Sequence, residues 1–377
     1  MIKFKSKYAE GFFDIDNRKI IVENDTYVYP ISWQKRPGRL YIIFSTECNL
    51  RCSYCFQNGL ERADSCVDMN DLYKYINSFR NHITEIVLFG GEPLLNSNYD
   101  YIVSVLERFD YLGFIIFTNG NFDEQYRNLI IQYSYCIKSV IITLDGARDM
   151  HNRRRINPSK DSYDTIIENL RFLSGKGVIL DVQLNIDKEN AKSFQVLMGD
   201  ISSDESLTGL DYTLNPVKYT KFSLDYNELL EIYFSLKENF PYRIFVNNRL
   251  VMNLMYLLSG RPLLSNRCAL DSTYVLSLPD STVYSCPQNP SSLVGRIEDG
   301  EVRLEKGLLS DKVLITQYKR NKCKNCRYSY LCPYCCPYVP EGEKCRDNVK
   351  SLLEKSFIHI DSLVDLRRLS DTGRELK

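Results

Sequence analysis

The chain has 377 residues, of which 44% are hydrophobic and 25% charged, as in an ordinary globular protein. Lysine plus arginine equals aspartate plus glutamate at 48 each, which argues against partners such as nucleic acids or anionic membranes. The N-terminus lacks the apolar run of a signal peptide, and no stretch of about 18 apolar residues predicts a membrane span. We therefore expect a cytoplasmic protein, in which the 13 cysteines favour metal ligation over disulfides.

The first part of the chain predicts an arm and a large α/β domain. Residues 1–38 read as a hairpin arm, with Asn24 and Asp25 at the turn. Residues 39–220 alternate between strand and helix patterns, which predicts a partial (β/α) barrel of six parallel strands. The predicted strands are 39–45, 85–89, 113–118, 138–144, 178–186 and 211–217, and the clearest helices are 71–80, 101–109 and 163–173. We expect the chemistry on the loops that follow the strands.

The remaining residues predict three further segments. Residues 221–264 contain two bridging helices, 229–240 and 249–260, by their apolar spacing. Residues 265–350 combine short strand patterns with crowded cysteines, which predicts a small second domain. Residues 351–377 predict a C-terminal helix.

Three cysteines follow the first predicted strand directly, namely Cys48, Cys52 and Cys55. A structural zinc site needs four ligands and a disulfide needs two. Three thiolates suit a four-iron cluster that leaves one iron open to another molecule. A zinc loop completed by a distant residue is the alternative interpretation.

The loops after three later strands also carry polar or glycine-rich patterns. Gly90-Gly91-Glu92-Pro93 follows the second strand; glycines permit close backbone approach, and carboxylate and carbonyl oxygens accept hydrogen bonds from an ammonium group. Residues 118–120 read Thr-Asn-Gly, and residues 143–155 read TLDGARDMHNRRR. Two of these patterns have ordinary alternatives. Residues 90–93 and Asp145-Gly146 could be plain turns, and Arg153 to Arg155 could form a solvated basic face.

With Tyr54 before the last cysteine, the C-x3-C-x2-C spacing resembles the signature of radical S-adenosylmethionine (SAM) enzymes, and the later loops extend the resemblance over about 39–220. The resemblance implies a partial (β/α)6 radical SAM barrel and a catalytic [4Fe-4S] cluster on the three cysteines. It implies a SAM site in which residues 90–93 bind the methionine amino group and Asp145 lines the pocket. The other cofactor-binding residues implied are Thr143 and Arg155 for the SAM carboxylate, Asn185 for the ribose, and Tyr54.

Seven further cysteines have spacings similar to those of the SPASM domain, which carries auxiliary iron–sulfur clusters; they are Cys268, Cys286, Cys323, Cys326, Cys332, Cys336 and Cys345. By resemblance Cys323, Cys326, Cys332 and Cys345 fully ligate one auxiliary [4Fe-4S] cluster. Cys268, Cys286 and Cys336 hold the other with only three thiolates, and Cys335 is either a bystander or its fourth ligand. A zinc ribbon is the alternative for this region, and Cys66 and Cys136 are left as core residues.

The resemblance implies that SAM is cleaved reductively and that the 5′-deoxyadenosyl radical takes a hydrogen atom from a substrate. The electron would come from an external donor of the flavodoxin or ferredoxin type. We expect a maturase of a peptide or protein, cross-linking a ribosomally synthesised peptide through a thioether. The alternatives are maturation of a folded protein's active-site residue and a non-catalytic iron–sulfur electron-transfer protein.

Two sequence features refine this expectation. Pro287 follows Cys286 where the sulfatase-maturating branch has an aspartate, which argues against that branch. Only 38 residues precede the first barrel strand, too few for the usual leader-recognition domain. We therefore assign leader recognition to the barrel or to a separate leader-peptide-binding protein.

Overall fold

A mostly parallel, eleven-stranded sheet forms the centre of the computed structural model. The structure describes residues 1–5, 10–14, 16–17, 19–22, 25–28, 37–55, 57, 62–65, 67–159, 161–217, 220–240, 242–247, 252–253, 272–287, 292–305, 331 and 345–358.

The secondary-structure elements are numbered in chain order. The strands are β1 (Ile2–Lys5), β2 (Glu10–Asp14), β3 (Lys19–Val22), β4 (Asp25–Val28), β5 (Arg39–Ile43), β6 (Arg51–Cys52), β7 (Glu85–Phe89), β8 (Gly113–Thr118), β9 (Ile137–Leu144), β10 (Arg155–Ile156), β11 (Leu180–Ile186), β12 (Asp211–Pro216), β13 (Arg243–Val246), β14 (Thr273–Ser277), β15 (Thr282–Tyr284), β16 (Leu293–Glu298) and β17 (Glu301–Leu304). The helices are α1 (Met69–Asn77), α2 (Tyr99–Phe109), α3 (Glu124–Gln132), α4 (Arg148–Arg154), α5 (Ser162–Leu173), α6 (Ser193–Ser202), α7 (Glu205–Thr208), α8 (Tyr226–Asn239) and α9 (Cys345–Ile358).

The predicted α/β partial barrel is confirmed. The six predicted strands are β5, β7, β8, β9, β11 and β12, and they pair in parallel in that order. A seventh parallel strand, β13, continues the sheet beyond β12. This strand has only four residues, which is too few for an alternating pattern to be recognised in the sequence.

The two faces of this sheet differ in character. Alternate residues pack into the apolar core on one face, among them Ile42, Leu88, Ile116, Ile142, Leu184 and Leu214. The intervening residues form what we call the inner face of the barrel, and several of them are only half-buried: Tyr41, Phe89, Phe117, Thr143, Asn185 and Asn215. Because side chains alternate along a strand, the inner face is the one left for ligands.

The N-terminal arm is a four-stranded antiparallel sheet, β1 to β4, rather than the single predicted hairpin. The chain reverses between Val22 and Asp25, where the turn was predicted. Helix α9 contacts β1 and α8, and the rings of Phe13 and Phe357 lie 5.0 Å apart. The arm therefore packs on an apolar surface that local sequence patterns do not reveal.

Strands β14 and β15 form an antiparallel hairpin, and β14 extends the barrel sheet by pairing in parallel with β5. Strands β16 and β17 complete the sheet. The C-terminal helix begins at Cys345, and residues 359–377 lie outside the described residues. The predicted helix 249–260 also lies outside them, apart from residues 252–253. Within the described ranges, no helix is long and apolar enough to cross a membrane.

Candidate functional site

The polar residues singled out in the sequence follow the carboxyl ends of neighbouring parallel strands. The cysteine loop follows β5, Gly90–Pro93 follows β7, and Asn119 follows β8. Asp145 follows β9, and Asn185 lies near the end of β11. The parallel topology therefore collects these groups at one edge of the barrel.

The cysteine loop is fixed by its backbone. Strand β6 pairs with β10, so that Cys52 lies opposite Arg155, and the Ser53 amide donates to the Arg154 carbonyl at 2.9 Å. The Cys55 amide donates to the Cys52 carbonyl at 3.2 Å. All three cysteine residues are partly exposed, while the main chain of the loop is held by these hydrogen bonds.

Hydrogen-bond donors surround the first cysteine. The Leu50 amide donates to Cys48 Sγ at 3.4 Å, and the Asn119 side chain donates to the same sulfur at 3.7 Å. Asn119 also donates to Asn49 Oδ1 at 2.6 Å, which ties the loop to the end of β8. Donors to sulfur stabilise the thiolate form that a metal requires.

Burial controls the charge of these thiols. Burial raises the pKa of the Cys52 thiol to about 11, and the positive charge of Arg155 acts in the opposite direction. Burial also raises the pKa of Cys48. Without a metal these two groups are therefore protonated thiols at neutral pH, and iron would have to displace their protons.

Glu92 is held entirely within the protein. Its side chain is 1% exposed and accepts hydrogen bonds from the Leu94 amide at 2.9 Å, Thr118 Oγ1 at 2.7 Å and the Asn119 amide at 2.6 Å. A carboxylate has about four acceptor positions, so at most about one stays open to an ammonium group. Glu92 thus positions Asn119, and through it Cys48.

The two glycines before Glu92 pack against the cysteine loop. Gly90 has a φ of +143°, which other residues rarely adopt. A Cβ on Gly91 would lie under 3.0 Å from the carbonyl oxygens of Thr46 and Glu47. The glycines therefore allow the main chains after β5 and β7 to touch, which sets the position of the cysteines.

Tyr54 is the centre of a buried polar cluster. Its hydroxyl donates to Asp145 Oδ1 at 2.7 Å and accepts from Arg155 Nη1 at 2.9 Å and Asn185 Nδ2 at 3.0 Å. Burial raises the pKa of Tyr54 well above its ordinary value, so the phenol keeps its proton. The structure thus brings together three of the predicted SAM-binding residues, Tyr54, Arg155 and Asn185, beside Asp145.

Sequence reasoning missed Arg154, which forms more ion pairs than any other residue in the described part of the chain. It is 3% exposed and bonds Asp145 at 3.1 Å, Asp187 at 2.9 Å and Glu189 at 2.7 Å. Its guanidinium also lies 4.8 Å from the centre of the Tyr54 ring. The solvated-face interpretation therefore holds only for the exposed Arg153, since Arg154 and Arg155 are buried.

Two other residues of this region have structural roles. His151 accepts a hydrogen bond from the Asp145 amide at 3.3 Å, and burial lowers its pKa well below the ordinary value, so the ring is neutral. Asn190 donates to the carbonyls of Asp145 and Asn185 at 3.0 and 2.8 Å, which joins the ends of β9 and β11.

Thr143 lies on the inner face two residues before Asp145 and stays outside the Tyr54 cluster.

The donor set fits an iron–sulfur cluster better than a single ion. Among the described residues no three His, Cys, Asp or Glu side chains converge on one metal ion. A four-iron cluster places each thiolate on a different iron, so its three ligands need not meet at one point.

Buried Arg155 adds a positive charge beside Cys52, and its Nε has no hydrogen-bond partner within the described ranges. An acceptor from a bound group would satisfy that N–H.

A cavity of about 350 Å³ adjoins the cysteine loop. Its lining comes from the cysteine loop and from the ends of α4, β11 and β12. The lining residues are Ser53, Tyr54, Arg153, Arg154, Asp187, Glu189, Thr220, Lys221 and Phe222. The mixture of charged groups with aromatic rings suits a ligand that is both polar and aromatic.

Of the seven SPASM-like cysteines, only Cys286 can be located with its side chain. It follows β15, which runs antiparallel to β14, and so lies towards the amino end of β5, opposite to Cys48. A five-residue strand spans about 17 Å, so Cys286 and Cys48 are separated by a distance of about that size. Cys345 is the first residue of α9, and Cys268, Cys323, Cys326, Cys332, Cys335 and Cys336 lie outside the described residues, as does Cys66. Cys136 is buried.

Comparisons with known proteins agree on the fold and the domain. A family model described as the radical SAM superfamily matches residues 42–201. The cysteine-type anaerobic sulfatase-maturating enzyme of Clostridium novyi (strain NT) is 24% identical over 361 residues, covering 83% of this chain and 93% of that enzyme.

Two solved structures share the fold over most of the chain. Native anSMEcpe with bound AdoMet and Kp18Cys peptide has a TM-score of 0.65 at 17% identity, covering 85% of this chain and 97% of that one. Streptococcus suis SuiB bound to precursor peptide SuiA has a TM-score of 0.60 at 14% identity, covering 82% of this chain and 76% of that one. Identities this low establish a common fold and no shared substrate.

Proposed function

Because the chain is a radical SAM enzyme, we propose that it is a maturase whose [4Fe-4S] cluster is held by Cys48, Cys52 and Cys55 and binds SAM. The observation that carries the proposal is the fixed three-thiol loop beside the buried Tyr54 cluster at the carboxyl edge of the barrel. When bound, the cluster and SAM supply a reductive cleavage that yields methionine and a 5′-deoxyadenosyl radical, which takes a hydrogen atom from the substrate.

The chain's own residues would hold and shield these groups. Donors to Cys48 Sγ from Leu50 and Asn119 favour the thiolate. The positive charge of Arg155 offsets the negative charge that three thiolates bring. Its Nε, which has no hydrogen-bond partner among the described residues, is available to the SAM carboxylate or to the cluster.

We assign the adenosyl part of SAM to the 350 Å³ cavity, which adjoins Tyr54 and offers the Phe222 ring for stacking on a base. Asp187 and Glu189 line the same cavity, and their carboxylates can accept hydrogen bonds from ribose hydroxyls. Asn185 reaches the region through its bond to the Tyr54 hydroxyl. The methionine amino group goes to the carbonyls of Gly90–Pro93 rather than to the Glu92 carboxylate, which already accepts three hydrogen bonds.

We further propose the two auxiliary clusters on the SPASM-like cysteines. Their support is the cysteine spacing, together with Cys286 at the end of the barrel opposite to Cys48. An external one-electron donor of the flavodoxin or ferredoxin type would reduce the protein.

Two substrate classes have specific support. A peptide is favoured by the common fold with SuiB, which binds a precursor peptide, and here the product would be a thioether cross-link. Maturation of a sulfatase is favoured by the 24% identity to a sulfatase-maturating enzyme over 93% of its length. Pro287, where that branch has an aspartate, is the feature of this chain that separates the two.

The deciding experiment offers both substrates to the same anaerobically reconstituted enzyme with SAM and a reductant. A synthetic cysteine-containing peptide should lose two hydrogen atoms and its alkylatable thiol. An unmodified sulfatase gaining activity, with the peptide unchanged, would replace the cross-linking proposal by the sulfatase one. The matched control is Cys136→Ala, a buried cysteine outside the loop, which should retain full activity. SAM cleavage with neither substrate modified would contradict both.

A further inference from the structure

A row of asparagines crosses three neighbouring strands on the inner face of the barrel. Asn215 Nδ2 donates to Asn185 Oδ1 at 2.7 Å, and Asn247 Nδ2 donates to Asn215 Oδ1 at 2.9 Å. We call Asn185, Asn215 and Asn247 the asparagine row. Its first member bonds the Tyr54 hydroxyl, so the row begins at the proposed SAM site and runs away from it.

The row retains hydrogen-bonding capacity. A primary amide has two donors and two acceptor positions, and Asn215 uses one of each within the row. Asn215 is half-buried and Asn247 is exposed, so both amides are accessible. Main-chain hydrogen bonds already hold these strand ends together, for example from the Asn247 amide to the Leu214 carbonyl at 2.8 Å.

The other side of the same inner face is aromatic. Tyr41 and Phe89 have ring centroids 5.6 Å apart, and Phe89 and Phe117 are 5.7 Å apart. These three half-buried rings, which we call the aromatic cluster, lie on β5, β7 and β8 and stay outside the main core. Rings that face away from a core, towards a polar row, provide a surface for an apolar side chain.

The spacing of the two surfaces suits an extended chain. Strands β8 and β12 are three steps apart in sheet order, about 14 Å across the sheet, and Asn215 lies four residues further along the strands than Phe117, about 13 Å. An extended peptide covers the resulting diagonal of about 19 Å in about six residues. Its main chain alternates donors and acceptors, which complements a row of primary amides.

We propose that the inner face binds an extended peptide segment, with its main chain on Asn215 and Asn247 and an apolar side chain on the aromatic cluster. This inference rests on the proposed maturase function and names the substrate class and the part of it that is recognised. Because the row begins at Asn185, the bound segment lies next to the proposed SAM site, as transfer of a hydrogen atom requires.

The probe is a displayed library of short randomised peptides, selected on anaerobically reconstituted holoenzyme with SAM. Selected peptides should share one apolar side chain at a fixed position. Their affinities, measured by fluorescence anisotropy, should fall about 2- to 12-fold in Asn215→Ala and in Asn247→Ala, the loss of one neutral hydrogen bond each. The matched control, Asn239→Ala, removes an exposed amide at the end of α8 and should leave affinity unchanged.

A main-chain probe sharpens the test. Replacing one peptide amide by an ester should weaken binding to the wild type, and the same replacement should cost less in the asparagine variant that has lost its partner. Phe117→Ala should lower the preference for the apolar side chain. Asn247 is exposed, so its variant keeps the test valid even if Asn215→Ala fails to fold.

The outcomes separate this inference from the proposed function. Unchanged affinity in both asparagine variants, or no selected peptide from an enzyme that cleaves SAM, would overturn the inference alone. A wild-type protein that neither binds nor cleaves SAM would instead refute the proposed function.

Discussion

Replacing Arg154 by methionine is the most demanding perturbation of the site. Methionine keeps much of the length and apolar volume of the side chain and removes its charge. The change leaves Asp145 and Asp187, which are 0% and 2% exposed, without their shared cation. It also removes the guanidinium from the face of the Tyr54 ring.

The expected cost follows from this burial. Breaking a buried ion pair by removing one partner costs about 3–5 kcal/mol when the remaining charge is uncompensated, which here applies to Asp187, because Asp145 keeps the Arg155 guanidinium at 3.6 Å. Glu189 adds little, since its side chain is 46% exposed. A whole domain is stable by about 5–15 kcal/mol, so Arg154→Met should remove a large part of the barrel's stability.

Urea unfolding of the metal-free, reduced protein measures this cost. Arg153→Met is the matched control, because Arg153 is exposed and its side chain donates a hydrogen bond to Met150 Sδ at 3.5 Å without an ion pair among the described residues. This variant should stay within about 0.5 kcal/mol of the wild type. Adding Asp187→Asn to Arg154→Met should restore part of the loss, because one orphaned charge disappears. A cost below about 1 kcal/mol for Arg154→Met, or no recovery in the double variant, would refute the reasoning.

Three further predictions concern Gly91, Gly199 and the inner-face residue Asp181. Gly91→Ala should cost about 1–3 kcal/mol and lower iron incorporation, because its Cβ would meet the main chain of the cysteine loop. Gly199→Ala in α6, with nothing within 4 Å of its Cβ, should instead stabilise the protein by about 0.5–1 kcal/mol. Burial raises the pKa of Asp181 to about 6 from its ordinary 3.8, so the folded protein binds this proton more tightly and loses stability as pH rises from about 4 to 6. Asp181→Asn should therefore stabilise the protein at pH 7 by up to about 3 kcal/mol and hardly at all at pH 4.

These predictions fail in distinct ways. Full iron content in Gly91→Ala would show that the glycine contact does not position the cysteines. An Asp181→Asn effect of equal size at pH 4 and pH 7 would show that proton uptake by Asp181 is not its cause.

The barrel strands were predictable because buried parallel strands contain continuous apolar runs, such as residues 86–89 of β7. The cysteine loop was predictable because its three ligands lie within eight residues. Strand β13 and the four-stranded arm were not, because their short segments gain their apolar contacts only from distant parts of the chain, as Phe13 does from Phe357.

The side-chain partners of the site depended on tertiary contacts. The sequence predicted that residues 90–93 bind the SAM ammonium through the carboxylate and carbonyls, while in the structure the Glu92 carboxylate accepts hydrogen bonds from Leu94, Thr118 and Asn119. Arg153 and Arg154 are adjacent in sequence and opposite in burial, which helix phase on α4 decides. The only sequence signal for the asparagine row was the position of Asn185 and Asn215 near the ends of two predicted strands.

Formation of 5′-deoxyadenosine tests the central claim most directly. Anaerobically reconstituted wild-type protein, given SAM and dithionite, should produce it, and the Cys48, Cys52, Cys55→Ala triple variant should produce none and hold about four fewer irons. Cys136→Ala should match the wild type in both product and iron. Product from the triple variant, or none from a wild type with its full iron content, would contradict the assignment of the cysteine loop as the radical SAM centre.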